Sequence, residues 1–134
     1  MMAMRRAFAD GTIDWLATDH APHTPAEKAK GWDAAPFGVI GLETAFGAVM
    51  SLVHRDEVDF WRYANAISNM LDLPCEPIAN NVTLVDLDHV WTVDPDQFYS
   101  KGRNCPFAGM TFRGKPMYTI AGGRVVMAEG EVLF

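Results

Sequence analysis

Positive charge is scarce in this sequence. Eleven Lys and Arg stand against 17 Asp and Glu among 134 residues, a net charge of −6 before the four histidines are counted. Nucleic-acid binding rests on neutralising phosphates with a basic surface, so no nucleic-acid partner is expected. Cysteine is nearly absent: Cys75 and Cys105 lie far apart and form no Cys-x-x-Cys pair, which argues against a zinc ribbon or a redox motif. One disulfide is permitted but not forced, and in a reducing compartment two free thiols are expected. No apolar run approaches the roughly 18 residues of a membrane span. Residues 1–8 carry Arg5 and Arg6 but no apolar stretch followed by a small-residue cleavage site. The expectation is a cytoplasmic chain with no membrane partner. Length excludes more: 134 residues suffice for one modest domain but not for a barrel of about 250 residues. Any reading that needs a whole barrel must treat this chain as a fragment.

What is present is an ordinary globular mixture, 49% hydrophobic and 21% charged. Residues 1–9 have helix-forming composition, and Asp10-Gly11 reads as a stop. The apolar-rich run 13–18 reads as a short strand buried on both faces, ending at Asp19. Between His20 and Gly38, three prolines and two glycines preclude one regular element, and a loop this long is usually functional or disordered. Apolar residues at 42, 45, 46, 49, 50 and 53 then keep the rhythm of an amphipathic helix. Residues 58–71 do the same, with Asp56, Glu57 and Asp59 at the positive N-terminal end. Beyond Pro74 and Pro77 the texture turns to β: strands at 82–85 and 89–93, a loop at 94–107, and a hairpin of 117–121 and 124–127 about Gly122-Gly123.

One constellation is dense in chemistry. Thr18-Asp19-His20-Ala21-Pro22-His23 crowds a carboxylate and two imidazoles directly after an apolar strand, and in parallel α/β proteins ligands gather at the C-terminal ends of strands. Asp19 is placed to bind a metal, to move a proton, or both; alternatively Asp19 and His20 shape a turn that Pro22 and Pro25 stiffen. Zinc needs three or four ligands. His54 and His89 fall in a predicted helix and near a strand without ligand spacing, so the motif can supply only part of a metal site. Lys101 and Arg103 read as a solvated turn with local hydrogen bonds, and Glu43 as a partner of a helix dipole. The tryptophans and phenylalanines read as core or interface packing.

Several strings together resemble a known family: Asp10-Gly11-Thr12-Ile13-Asp14, Thr18-Asp19-His20-Ala21-Pro22-His23-Thr24-Pro25, Ala35-Pro36-Phe37-Gly38 and Gly41-Leu42-Glu43-Thr44. Further on come Trp91-Thr92-Val93-Asp94-Pro95, Ser100-Lys101-Gly102-Arg103-Asn104 with Pro106-Phe107, and Gly122-Gly123-Arg124-Val125-Val126. In this order they resemble the C-terminal portion of dihydroorotase of the longer bacterial kind (class I), in the amidohydrolase superfamily, from about Met4 to Glu129. The resemblance implies an α/β fold: the C-terminal fragment of a (β/α)8 barrel, with residues 1–74 giving its last strand, helices and active-site loop. Residues 75–134 would then give the C-terminal part of a small β domain. It also implies that Asp19 touches a metal centre and acts as general base and then acid. His23 would bind the carboxylate side of the substrate, and the backbone around Phe37 and Gly38 would contact the pyrimidine ring.

Such chemistry is metal-dependent, reversible hydrolysis of the cyclic amide of dihydroorotate to carbamoyl aspartate in pyrimidine biosynthesis. It needs a metal-activated hydroxide and a carboxylate that takes its proton and passes it to the leaving nitrogen. The family's His-x-His motif and its further ligands from the middle strands are missing, so zinc is expected only with ligands from the missing N-terminal part. The same resemblance implies a homo-oligomer when the protein is complete. Between Met70 and Val82 the family's Asn-Pro-Ala turn is replaced by an altered, shortened run that includes Pro74, Cys75 and Pro77. Two other readings stand beside the enzymatic one: a catalytically inactive remnant or interaction module that docks on a full-length pyrimidine-pathway enzyme, and a fragment of a hydantoinase-like relative.

Overall fold

A computed structural model describes residues 2–70 and 80–133. The chain is α/β: helices α1 (Met2–Ala9), α2 (Pro25–Lys28), α3 (Ala45–Val53) and α4 (Phe60–Met70) precede strands β1 (Val82–Thr92), β2 (Thr111–Ala121), β3 (Arg124–Ala128) and β4 (Glu131–Val132). The four strands form one sheet in sequence order, every neighbouring pair antiparallel. The altered run before Val82, Cys75 and the expected boundary at residue 74 lie outside the described residues.

The helical half is organised about Arg62. Its guanidinium stacks 4.7 Å from the centre of the Phe8 ring, and its Nε donates to the Phe8 carbonyl at 2.8 Å. A second guanidinium nitrogen donates to the Ile13 carbonyl. One α4 side chain thus caps the end of α1 and fixes the segment that follows it. Phe8, Val58 and Ala66 are buried beside it, with Ile13, Leu16 and Leu52 packed against them. Asp59 starts α4 by accepting from the amides of Trp61 and Arg62 at 2.9 and 3.1 Å, which satisfies donors that a helix end leaves unpaired.

Helix α3 lies on the sheet because glycines let it approach. A Cβ at Gly47 would meet the Phe112 ring at 2.8–3.0 Å, and one at Gly114 would meet Met50 at 3.0 Å. Phe112 is clamped in turn by Trp91 and Phe107, at ring distances of 5.8 and 5.4 Å. Val49, Met50, Ile40, Val93 and Tyr63 are also buried.

Two expectations change in the β half. The strands expected at 82–85 and 89–93 are one strand, because its register shifts instead of ending between Asp86 and Val90. There the Asp86 carboxylate accepts from the amides of Asp88 and His89 at 2.9 and 3.1 Å, a local turn inside the strand. The second strand begins at Thr111 and not at residue 117, carrying Gly114 and Pro116 within it. Pro116 pairs with Val85 at a register break, where its missing amide costs least.

The expected strand at 13–18 is not formed. Residues 14–19 form no described strand, and next to them His20 makes an isolated parallel bridge with Val39. A parallel strand needs flanking strands to take its amides and carbonyls, and the strands of this chain are committed to the antiparallel sheet. Trp15, expected to pack in a core or interface, is 62% exposed.

Candidate functional site

Three loops meet where the sequence concentrates its chemistry: residues 19–23, residues 36–41 and residues 102–104. The first two run side by side, with the Ala21 amide donating to the Val39 carbonyl at 2.9 Å. Gly38 makes this approach possible. Its φ is +112°, and a Cβ there would lie 2.4 Å from the Ala21 Cβ. The third loop wedges between them: a Cβ on Gly102 would meet Pro22 Cα at 3.1 Å and Ile40 Cγ2 at 3.0 Å.

At the centre of the junction is Asn104. Its Nδ2 donates to the carbonyls of Ala21 and Gly38 at 3.3 and 3.0 Å, and its Oδ1 accepts from the His23 amide at 3.5 Å. Reversing the amide would set its oxygen against two carbonyl oxygens, so the hydrogen bonds fix its orientation. The Asn104 carbonyl also accepts from the Ile40 amide at 3.2 Å. From the far side Lys28 Nζ reaches the carbonyls of Pro36 and Gly38 at 2.9 and 3.1 Å. Lys28 is held in place by a short helix that opens with a capping box between Thr24 and Glu27. The Thr24 backbone amide and hydroxyl, in that order of effect, keep the Glu27 carboxyl below its ordinary range.

Both imidazoles of the motif have defined roles. His23 Nε2 is 2.8 Å from the Phe37 carbonyl, which can only accept, so Nε2 carries a proton. His20 Nδ1 accepts from the Gly41 amide at 3.2 Å, which puts the proton of its neutral ring on Nε2. The Asp19 backbone is left-handed, with φ of +47°. This turns the chain sharply and leaves the aspartate exposed while His20 and His23 are half-buried.

Of the four expected site residues, His23, Phe37 and Gly38 are brought into contact. Phe37 contributes its carbonyl, and its side chain is 94% exposed. Asp19 lies on the same loop, at its exposed end. Asn104 and Lys28 join them, although the sequence alone assigns neither a role. Asn104 stood in the distinctive Gly102-Arg103-Asn104 string, whereas nothing in the sequence marks Lys28. Arg103 makes the local bonds expected of it, to Asp96 at 3.1 Å, to the Gly102 carbonyl at 3.0 Å and to the Ser100 carbonyl. Glu43 departs from its expected helix role by accepting from the Ser100 amide at 2.8 Å, which ties the loop after β1 to the start of α3. Burial is the largest single influence on Glu43 and pushes its pKa up; the Ser100 bonds, its own amide and His20 together outweigh burial and leave it below the ordinary range.

Metal chemistry can be tested against these residues. Asp19 offers an exposed carboxylate, a suitable oxygen donor, but among the described residues no three His, Cys, Asp or Glu side chains converge. His54 Nε2 is engaged by the Leu87 carbonyl at 3.0 Å, and His89 lies in β1. The described residues therefore do not by themselves make up the three or four ligands that a zinc centre needs. A cavity of about 370 Å³ lies elsewhere, between the sheet and residues 94–99, lined by Glu43, Trp91, Tyr99 and Lys115 among others. None of Asp19, His23, Phe37 or Gly38 borders it. Cys105 is a free thiol, and no helix among the described residues is long and apolar enough to cross a membrane.

No family model matches the chain. Curated relatives do: a dihydroorotase from Pelotomaculum thermopropionicum is 46% identical over 136 residues, and one from Geobacillus sp. is 40% identical over 140. These alignments cover 95% and 96% of this chain but 32% of each relative. Among solved structures, the L-hydantoinase from Arthrobacter aurescens superposes with a TM-score of 0.85 at 29% identity, over 98% of this chain and 32% of that one. The chain thus spans about a third of the length of the amidohydrolase-type proteins that it resembles along nearly all of its own.

Proposed function

On the premise that the chain is the counterpart of about a third of a dihydroorotase, we propose that it supplies the proton-transfer and substrate-holding part of a cyclic amide hydrolase. Dihydroorotate, hydrolysed reversibly to carbamoyl aspartate, is the favoured substrate. The observation that carries this reading is the contact between His23 and the Phe37 carbonyl, which brings two separate motifs of the resemblance to one place. Asp19, exposed at the rim, takes a proton from the attacking water and returns it to the leaving ring nitrogen. His23 has its Nε2 proton committed to Phe37, so Nδ1 is the ring atom left for the carboxylate side of the substrate. The backbone at Phe37 and Gly38, held by Lys28 and Asn104, lies beside it for contacts to the ring amide. A zinc ion ligated by Asp19 and by side chains from the rest of a barrel would supply water activation.

The surface supports assembly with a larger body. The chain exposes 9210 Å², whereas a compact monomer of this size exposes roughly 7000 Å². Trp32 and Trp61 are 96% and 69% exposed, and residues 14–19 belong to no described sheet although their composition is apolar-rich. The same surface also favours a second reading, a catalytically silent module that docks on a full-length pyrimidine-pathway enzyme. The deciding experiment mixes this chain with the remaining two-thirds of a dihydroorotase in the presence of zinc. Size-exclusion chromatography then reports association, and carbamoyl aspartate formation reports turnover, with hydantoin offered in parallel. We expect association and turnover of dihydroorotate, with Asp19→Asn lowering the rate by about 10²–10⁴-fold. Association without turnover selects the docking module, hydantoin turnover alone redirects the substrate, and a well-behaved monomer that ignores the added portion overturns both proposals.

A further inference from the structure

We propose that Asn104 is a positioning residue for substrate: it sets the spacing between His23 and the Phe37–Gly38 backbone, and so the width of the slot into which the substrate fits. This rests on the reading that those groups hold the substrate. Asn104 belongs to the long loop between β1 and β2, yet among the described residues every side-chain bond that it makes runs to the two loops of the candidate site, 81, 83 and 66 residues away.

Only a primary amide of this length fits the three positions. The His23 amide requires an acceptor, and the Ala21 and Gly38 carbonyls each require a donor. A carboxylate accepts but cannot donate, a hydroxyl has one proton to give, and glutamine would carry the amide a methylene too far. The Gly38 carbonyl is held from two sides, by Asn104 Nδ2 at 3.0 Å and Lys28 Nζ at 3.1 Å. Its peptide plane is thereby fixed against rotation. The neighbouring Phe37 carbonyl faces His23 at 2.8 Å, so the setting of this backbone also sets the His23 ring. Gly102 brings the loop close enough for this, since a Cβ there would lie 2.9 Å from Asn104 Oδ1. Asn104 touches no reacting atom in this reading; it acts through His23 and Gly38.

The test uses the full chain carrying Asn104→Ala or the nearly isosteric Asn104→Asp. The first readout is the His23 ring tautomer by long-range nitrogen–proton NMR at about pH 8, above the ordinary imidazole pKa of ~6.5. His20, held by Gly41, is the internal control. The parent should show His23 protonated at Nε2. Both variants should mix the two tautomers at His23 while leaving His20 unchanged. The second readout is KM against kcat for dihydroorotate after mixing with the remaining two-thirds of a dihydroorotase. The expected result is a KM raised about ten- to hundredfold with kcat lowered less than about fivefold, the pattern of lost substrate alignment. An unchanged His23 tautomer in both variants, or an unchanged KM in an active mixture, overturns the proposal. If the parent mixture turns over nothing, the functional reading fails, and the tautomer alone still decides whether Asn104 positions His23.

Discussion

Replacing Gly38 by alanine probes the junction on which the site depends. The added Cβ would lie 2.4 Å from Ala21 Cβ, whereas carbon atoms in ordinary contact stay roughly 3.5–4.0 Å apart. The two loops must therefore separate by about an ångström. Two hydrogen bonds span that gap directly, Ala21 to Val39 at 2.9 Å and His23 to Phe37 at 2.8 Å, and Asn104 bridges it by donating to Ala21 at 3.3 Å and to Gly38 at 3.0 Å. Losing one or two of them costs about 1 kcal/mol each. The backbone at φ +112° adds strain, of about 1–3 kcal/mol for a residue with a side chain. The sum is about 2–5 kcal/mol. Adding Ala21→Gly removes the colliding methyl but not the strain, and introduces a glycine costing about 0.5–1 kcal/mol. The double variant should then regain a net of about 0.5–1 kcal/mol of the loss. Urea unfolding followed by tryptophan fluorescence measures each step. A Gly38→Ala protein within about 0.5 kcal/mol of the parent, or a double variant no more stable than the single one, would refute the close approach of the two loops.

Two further outcomes follow from the core. Alanine is a better helix former than glycine by about 1 kcal/mol, yet Gly47→Ala should destabilise, because its Cβ would meet a Phe112 ring held on both sides by Trp91 and Phe107. Overpacking of this kind costs about 1–3 kcal/mol, so after the helix gain a net loss of up to about 2 kcal/mol is expected by chemical denaturation, turning to a gain when Phe112→Leu makes room. Tyr63 is buried beside Phe46, and burial pushes its hydroxyl from 10.0 up to about 12. Below pH 10 both states keep the proton and pH has no effect through this group. Between pH 10 and 12 the unfolded chain releases its proton first, so stability falls as pH rises, by about 2–3 kcal/mol in all. Tyr63→Phe should flatten that alkaline slope in pH-dependent melts; a slope that survives the substitution assigns it to another group.

Which parts of this molecule could be read from the sequence follows from how far each feature's causes lie along the chain. Helices α3 and α4 repeat their apolar positions every three or four residues, and the Gly122-Gly123 turn is set by its own two glycines, so local patterns sufficed. The true start of β2 was hidden because Gly114 and Pro116 look like breakers. One is small to admit Met50 and the other sits at a register shift, and both reasons belong to partners far away in sequence. Asn104 is the same case at the site, since nothing within 65 residues of it receives its side-chain hydrogen bonds among those described. Residues 13–18 show the reverse. Their composition is that of a buried parallel strand, but a strand exists only through its neighbours, and this chain's strands pair elsewhere. Strand-like composition without a sheet and an exposed Trp15 describe the same deficit. Had the chain evolved to be solvated there, charge or proline would be expected along 13–18 to blunt the edge, and that run carries a single charge, Asp14, and no proline. The composition is therefore that of a segment suited to being covered rather than solvated, which is the property that the proposed association with a larger body draws on.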